Sequence, residues 1–158
     1  MIFKKATLKD FEGICRLRKE LATDPSDRLA TEYAPYHEEN DRAWIQRCLR
    51  SRQRIIILVA EDPNGICAHA VICTEKVSKK MMPYVTYRQK ARLVHLYVSR
   101  YKRRQGIGKR LMEYTLKYLK ENGSEFVDLE CYVGNKAADA LYHKIGFKDV
   151  FVAKRFNL

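Results

Sequence analysis

The spacing of hydrophobic and polar positions changes period along the chain, and each change marks an element. Residues 1–5 alternate weakly and predict a first strand. Thr7-Leu8-Lys9-Asp10 has the form of a capping box with Asp in place of Glu, so a helix is expected to start after Thr7. Its stripe is Phe11, Ile14, Cys15, Leu17 and Leu21, and Asp24-Pro25-Ser26 ends it. A second helix is expected over 38–52, with Ala43, Trp44, Cys48 and Leu49 inward. Residues 54–60, rich in β-branched side chains, read as a buried strand, and residues 66–77 as its partner. Between them Asp62-Pro63-Asn64-Gly65 is a hairpin turn, because proline fixes φ and Asn-Gly accepts positive φ. A central strand follows over 93–98. The next helix, expected over 107–122, packs through Leu111, Met112, Thr115, Leu116 and Leu119, and Asn122-Gly123 closes it in the left-handed manner. A strand over 126–133, a helix over 136–145 and a last strand over 147–154 complete the order βααβββαβαβ. That order implies an α/β or α+β sandwich around a mixed sheet.

Composition narrows the class. The 158 residues make one domain, 1–158, able to bury about 70% of its unfolded surface. No apolar run approaches ~20 residues, so no membrane span is expected, and the first residues lack the apolar core of a secretion signal. Five cysteines, odd in number and without Cys-x-x-Cys spacing, read as reduced apolar residues of a cytoplasmic protein. Four scattered histidines add no metal pattern, and no metal is expected. The net charge of +12 raises a basic nucleic-acid-binding domain as one alternative. Against it, several cations crowd a single turn, others such as Lys117 and Lys120 space like the wet face of a helix, and no nucleic-acid motif accompanies them.

That crowded turn carries the chemistry. Leu93-Val94-His95-Leu96-Tyr97-Val98 runs through Ser99 to Gln105 into Gly106-Ile107-Gly108, which opens a helix. Glycines let a ligand approach the backbone, and the first helical N–H groups favour an anion. Arg100, Lys102, Arg103, Arg104, Lys109 and Arg110 crowd the same turn, so it reads as a pyrophosphate cradle. It lacks the Gly-Lys-Ser/Thr of a P-loop and the third glycine of a dinucleotide fingerprint.

Arg103-Arg104-Gln105-Gly106-Ile107-Gly108 resembles the acyl-CoA signature of the GNAT superfamily of N-acetyltransferases, Gln/Arg-x-x-Gly-x-Gly/Ala. Leu129 to Asn135, then Leu141-Tyr142-His143-Lys144-Ile145-Gly146-Phe147, resembles the second half of the same pattern. The resemblance implies an α/β (α+β) GNAT-like fold: a mixed, mostly antiparallel central sheet flanked by helices, with splayed central strands. It implies acetyl-CoA as co-substrate, an amine acceptor, and direct transfer in a ternary complex. Arg103, Arg104, Gln105, Gly106, Ile107, Gly108 and Lys109 would take the pyrophosphate. Leu96, Tyr97 and Val98 would pair with the pantetheine and offer an oxyanion donor. Asn135 matches the family asparagine near the pantetheine arm, although a helix N-cap accounts for it equally. Tyr142 matches the tyrosine that protonates the departing thiolate and also contacts the cofactor. Glu130 matches a glutamate base of the ribosomal-protein alanine acetyltransferases; a structural carboxylate paired to an arginine is the other reading. His95 is the rival base.

The acceptor is open between a small cationic amine, aminoglycoside-like or other, and a protein amine. Asp24, Asp27, Glu32, Glu38, Glu39 and Asp41, against the single basic Arg28, would make an acidic wall for a cation, with Tyr33 and Tyr36 as aromatic faces. A solvated loop is the alternative. Residues 78–90, basic and tyrosine-bearing, stand open as an acceptor wall or a homodimer contact. A CoA-binding module without catalysis is the non-enzyme reading.

Overall fold

The computed structural model describes residues 1–24, 36–51 and 54–154. The elements run β1 (Ile2–Lys5), α1 (Phe11–Ala22), α2 (Glu38–Arg50), β2 (Ile55–Asp62), β3 (Gly65–Lys76), β4 (Gln89–Val98), α3 (Ile107–Glu121), β5 (Phe126–Leu129) and α4 (Lys136–Ile145). The strands form one sheet in the order β1-β2-β3-β4-β5, antiparallel up to β4 and parallel between β4 and β5. It is the mixed, mostly antiparallel sheet flanked by helices that the motif resemblance implied.

Two apolar layers cover the sheet. On one face Leu58, Ala70, Ile72, Ala91 and Leu93 pack against Ile107, Leu111, Met112 and Leu119 of α3. On the other, Ile57, Val59, Ile66 and Val71 meet Ile14, Cys15 and Leu17 of α1 and Ile45 and Cys48 of α2. The hairpin turn is as expected: Asp62 Oδ1 accepts from Asn64 N–H at 2.8 Å, and the positive φ, 106°, falls on Gly65. Asn122-Gly123 ends α3 with Gly123 at φ 84°. Among the described residues no helix is long and apolar enough to cross a membrane.

Four expectations need correction. The Thr7–Asp10 box closes a 3-10 turn, Leu8–Asp10, before α1 begins at Phe11. In α2 Ile45 is buried beside the expected Cys48, whereas Ala43 is exposed; the predicted end at residue 52 lies outside the described residues. β5 stops at Leu129 instead of 133, where its pairing with β4 ends opposite Leu93. Residues 147–154 form no strand. With β5 so short they have no ladder to join, and Val150, Phe151 and Val152 stand exposed.

Candidate active site

A β-bulge lies at the start of the site. Val71 pairs with His95 but Ile72 pairs with Leu93, so Val94 is an extra residue in β4. The bulge resets the alternation. Leu96 and Val98 follow Leu93 onto the α3 face, while His95 and Tyr97 turn toward α1 and α2. On its other side β4 pairs with β5 only as far as Leu93 opposite Leu129. From His95 to Val98, β4 stays laddered to β3, and among the described residues no strand pairs with its outer edge. Alternate backbone groups of that stretch face the opening. The splay expected at residues 96–98 is therefore present.

The start of α3 and the flank of α4 border this open edge. A Cβ placed on Gly108 would lie 3.5 Å from both Val98 Cγ2 and Leu141 Cδ2, so β4, α3 and α4 converge there. Gly106 is the N-cap of α3 at φ 73°, and Arg104 is also left-handed at φ 65°. A Cβ on Gly106 would meet nothing within 4 Å. Arg110 N–H makes the first intrahelical bond, to Gly106 O at 3.1 Å, which leaves the N–H groups of Ile107, Gly108 and Lys109 ahead of the ladder. A glycine with open space before it, facing a helix N-terminus, suits a phosphate group.

The cations of this turn divide. Arg103 reaches back to the α1 side: it pairs with Asp24, donates from Nε to Val98 O at 3.2 Å and lies over the Tyr97 ring. Lys102 pairs with Asp62 at 2.7 Å, and Arg110 lies over Phe3. Arg104 and Gln105 are exposed at the turn, and Lys109 is 3.4 Å from Glu113. Residues 36–41 show a similar internal pairing: Glu38 holds Lys19 at 2.7 Å, and Asp41 holds Arg18 at 2.7 Å. Asp27, Arg28, Glu32 and Tyr33 lie outside the described residues.

Tyr142 lies half-buried on α4 against the α3-side core, edge-on to Phe147 at 5.8 Å. Burial, and secondarily nearby Cys131, pushes its pKa up to about 12. Asn135 caps α4, its side chain accepting from Ala138 N–H at 3.2 Å. Glu130 immediately follows β5, 73% exposed, with Arg92 at 3.4 Å. His95 packs edge-on against Trp44, and burial first, then Arg18, lowers its pKa to about 4. Tyr142 and residues 96–98 thus share the α3-side layer. His95 lies across the sheet from them, and Glu130 where the splay begins, one residue past Leu129.

The two halves of the motif thus meet where β4, α3 and α4 converge at Gly108. The Acetyltransferase (GNAT) family model matches residues 16–147. The chain belongs to this family. An N-alpha-acetyltransferase from Sulfurisphaera tokodaii is 38% identical over 78 residues, 49% of this chain and 46% of that protein, so the chain matches about half of that relative's length. Among solved structures, a mutant of the BH1408 protein from Bacillus halodurans superposes with a TM-score of 0.79 at 23% identity, covering 100% of this GNAT chain and 99% of its own. An aminoglycoside acetyltransferase from an uncultured soil metagenomic sample, in complex with sisomicin, gives 0.74 at 18% identity, covering 99% and 95%. These structural matches establish the GNAT fold.

Several residues at the site carry no sequence motif. Glu20 of α1 accepts from the Tyr97 hydroxyl, the Ser99 hydroxyl and the Arg100 N–H. Burial, then Glu20 and Asp24, push the Tyr97 phenol well above its ordinary pKa. His69 of β3 is fully buried, its pKa lowered to about 3 chiefly by burial. Neither His69 ring nitrogen nor Arg18 Nη1 has a partner among the described residues. The available signal for Glu20 was its place three residues after Leu17, on the buried stripe of α1.

Proposed function

We propose that this GNAT chain is an acetyl-CoA-dependent N-acetyltransferase that moves an acetyl group directly to a primary amine within a ternary complex. The observation that carries the reading is the convergence of an unladdered β4 edge, the glycine-opened N-terminus of α3 and α4, whose Leu141 meets Gly108 and whose Tyr142 packs on the same core layer. The N–H groups of Ile107, Gly108 and Lys109, with the Arg104 and Lys109 side chains, hold the pyrophosphate. Those backbone groups of Leu96, Tyr97 and Val98 that face the opening pair with the pantetheine and donate to the thioester oxygen as negative charge develops there. The amine nitrogen forms a bond to the carbonyl carbon, and the carbon–sulfur bond breaks. Tyr142 gives its proton to the leaving sulfur; a phenol kept protonated by burial remains a donor at neutral pH.

The amine must lose a proton as well. A lysine-like amine of pKa ~10.4 costs about 4.6 kcal/mol to deprotonate at pH 7, an α-amine near 7.8 only about 1 kcal/mol. Glu130 and His95 are the two acceptors for that proton. Exposed Glu130 passes it to solvent, and His95, neutral near pH 7, is available on the opposite face. The N-alpha-acetyltransferase relative favours a protein α-amine; small cationic amines, aminoglycosides included, are the second class. Thiol release from acetyl-CoA is the test, against peptides with free α-amines, lysine side chains and aminoglycosides, beside thermal shift with CoA. Turnover on one class supports the enzyme and names its acceptor. A CoA shift without any turnover favours the binding module, and salt-sensitive nucleic-acid binding that CoA does not displace favours the basic domain.

A further inference from the structure

The segment joining β4 to α3 makes few backbone bonds of its own. Ser99 N–H bonds Cys67 O at 2.9 Å and Lys102 N–H bonds Ser99 O at 2.8 Å. It nonetheless carries Arg104 in the left-handed region, a conformation that persists only where its surroundings fix it. Side chains supply that fixing, and one residue supplies most of it at the start. Glu20 Oε1 lies 2.7 Å from Arg100 N–H, 3.0 Å from the Ser99 hydroxyl and 3.1 Å from the Tyr97 hydroxyl; Oε2 is 3.1 Å from Ser99 as well. Tyr97 and Ser99 are buried. A single carboxylate thus grips three residues that straddle the point where β4 leaves the sheet. Asp24, one turn further along, takes Arg103.

We propose that Glu20 is the positioning residue of the phosphate turn, holding residues 97–100 so that the α3 N-terminus and Gly106 keep their binding shape. The proposal rests on the acetyl-CoA reading above. It makes a prediction opposite in sign to plain electrostatics. A carboxylate near an anion site repels the anion, so on charge alone its removal tightens CoA binding. If the carboxylate instead holds the turn, its removal weakens binding.

The experiment is calorimetric binding of CoA and of 3'-phosphoadenosine 5'-diphosphate, which lacks the pantetheine arm, with melting followed by circular dichroism. Glu20→Ala is expected to raise both dissociation constants about 10-fold, by a common factor, since the defect lies in the phosphate turn. Glu20→Gln keeps one accepting oxygen and is expected to raise them about 3-fold. Ser99→Ala leaves the charge intact and removes one anchor; the proposal requires weaker binding there too, and this variant and Glu20→Gln carry the test if Glu20→Ala fails to fold. Unchanged or tighter CoA binding in the folded Glu20 variants overturns the role of Glu20. A wild-type chain that binds neither ligand overturns the acetyl-CoA reading itself.

Discussion

Two glycines in one turn, Gly106 and Gly108, should respond to the same substitution in opposite ways. Gly106 sits at φ 73°, and alanine in the left-handed region costs roughly 1–2 kcal/mol. The added Cβ meets nothing within 4 Å, so no steric cost is added to that strain. For a domain of this size the loss translates to about 2–8 °C in Tm, and Gly106→Ala should remain folded. Its Cβ projects into the open space before the α3 N-terminus, where a bound pyrophosphate would approach. Displacing that group from one charge-assisted hydrogen bond costs about 1.5–3 kcal/mol, or roughly 10- to 100-fold in CoA affinity. Gly108 is not left-handed, and its added Cβ points at Val98 and Leu141 at ordinary contact distance, 3.5 Å. Gly108→Ala should gain up to about 1 kcal/mol of helix propensity and keep its CoA affinity. Thermal shift with and without CoA, beside calorimetric Kd values, separates the two effects. Wild-type CoA affinity in Gly106→Ala, or its loss in Gly108→Ala, would refute the assignment of the cradle to Gly106.

Three further outcomes follow from other parts of the molecule. Tyr142→Phe keeps the ring against Phe147 and removes only the hydroxyl, so kcat should fall about 10²- to 10³-fold with KM for acetyl-CoA nearly unchanged, measured by thiol release. Gly13→Ala should destabilise despite improved helix propensity, because its Cβ would stand 2.8 Å from Cγ1 of buried Ile66; a net loss of about 1–2 kcal/mol is expected by urea unfolding. Stability should also fall in mild acid. His95 and His69 titrate near 4 and 3 in the folded chain against about 6.5 unfolded, so the unfolded chain binds more protons below pH 6.5. From pH 6.5 to 5 the pair should lose about 3 kcal/mol, a Tm decrease of about 6–12 °C, and His69→Gln should remove about half of that dependence.

The parts of this fold that were legible in the chain are those whose cause is local. The Asp62–Gly65 turn, the stripe of α3 and the run through residues 93–98 each follow from neighbouring residues, and each was found within a few positions. In α2 the expected Trp44, Cys48 and Leu49 do pack inward, and only Ala43 and Ile45 exchange places, on a face where Arg18 pairs with Asp41 and lies over Trp44. The last strand failed for a different reason. Alternation over 147–154 specifies two faces but no partner, and partnering depends on where β5 ends, opposite Leu93 and beside the Val94 bulge.

The cations of the turn show why a motif names a site more readily than it assigns roles. Arg100, Lys102, Arg103, Arg104, Lys109 and Arg110 look equivalent as a string of charge. Folding gives Lys102 to Asp62 and Arg103 to Asp24, and lays Arg110 on Phe3, each partner distant in sequence. Much of the positive charge at the turn is therefore already employed in fixing its shape. On the acetyl-CoA reading, anion recognition falls mainly to helix N–H groups that any sequence would possess, made accessible by one glycine. Backbone donors release no side-chain counterions, so the salt dependence of CoA binding should be shallower than six cations imply. The basic residues then matter chiefly through the carboxylates they meet, and Glu20 and Asp24, which no motif marks, become as informative about the cofactor site as the arginines that do.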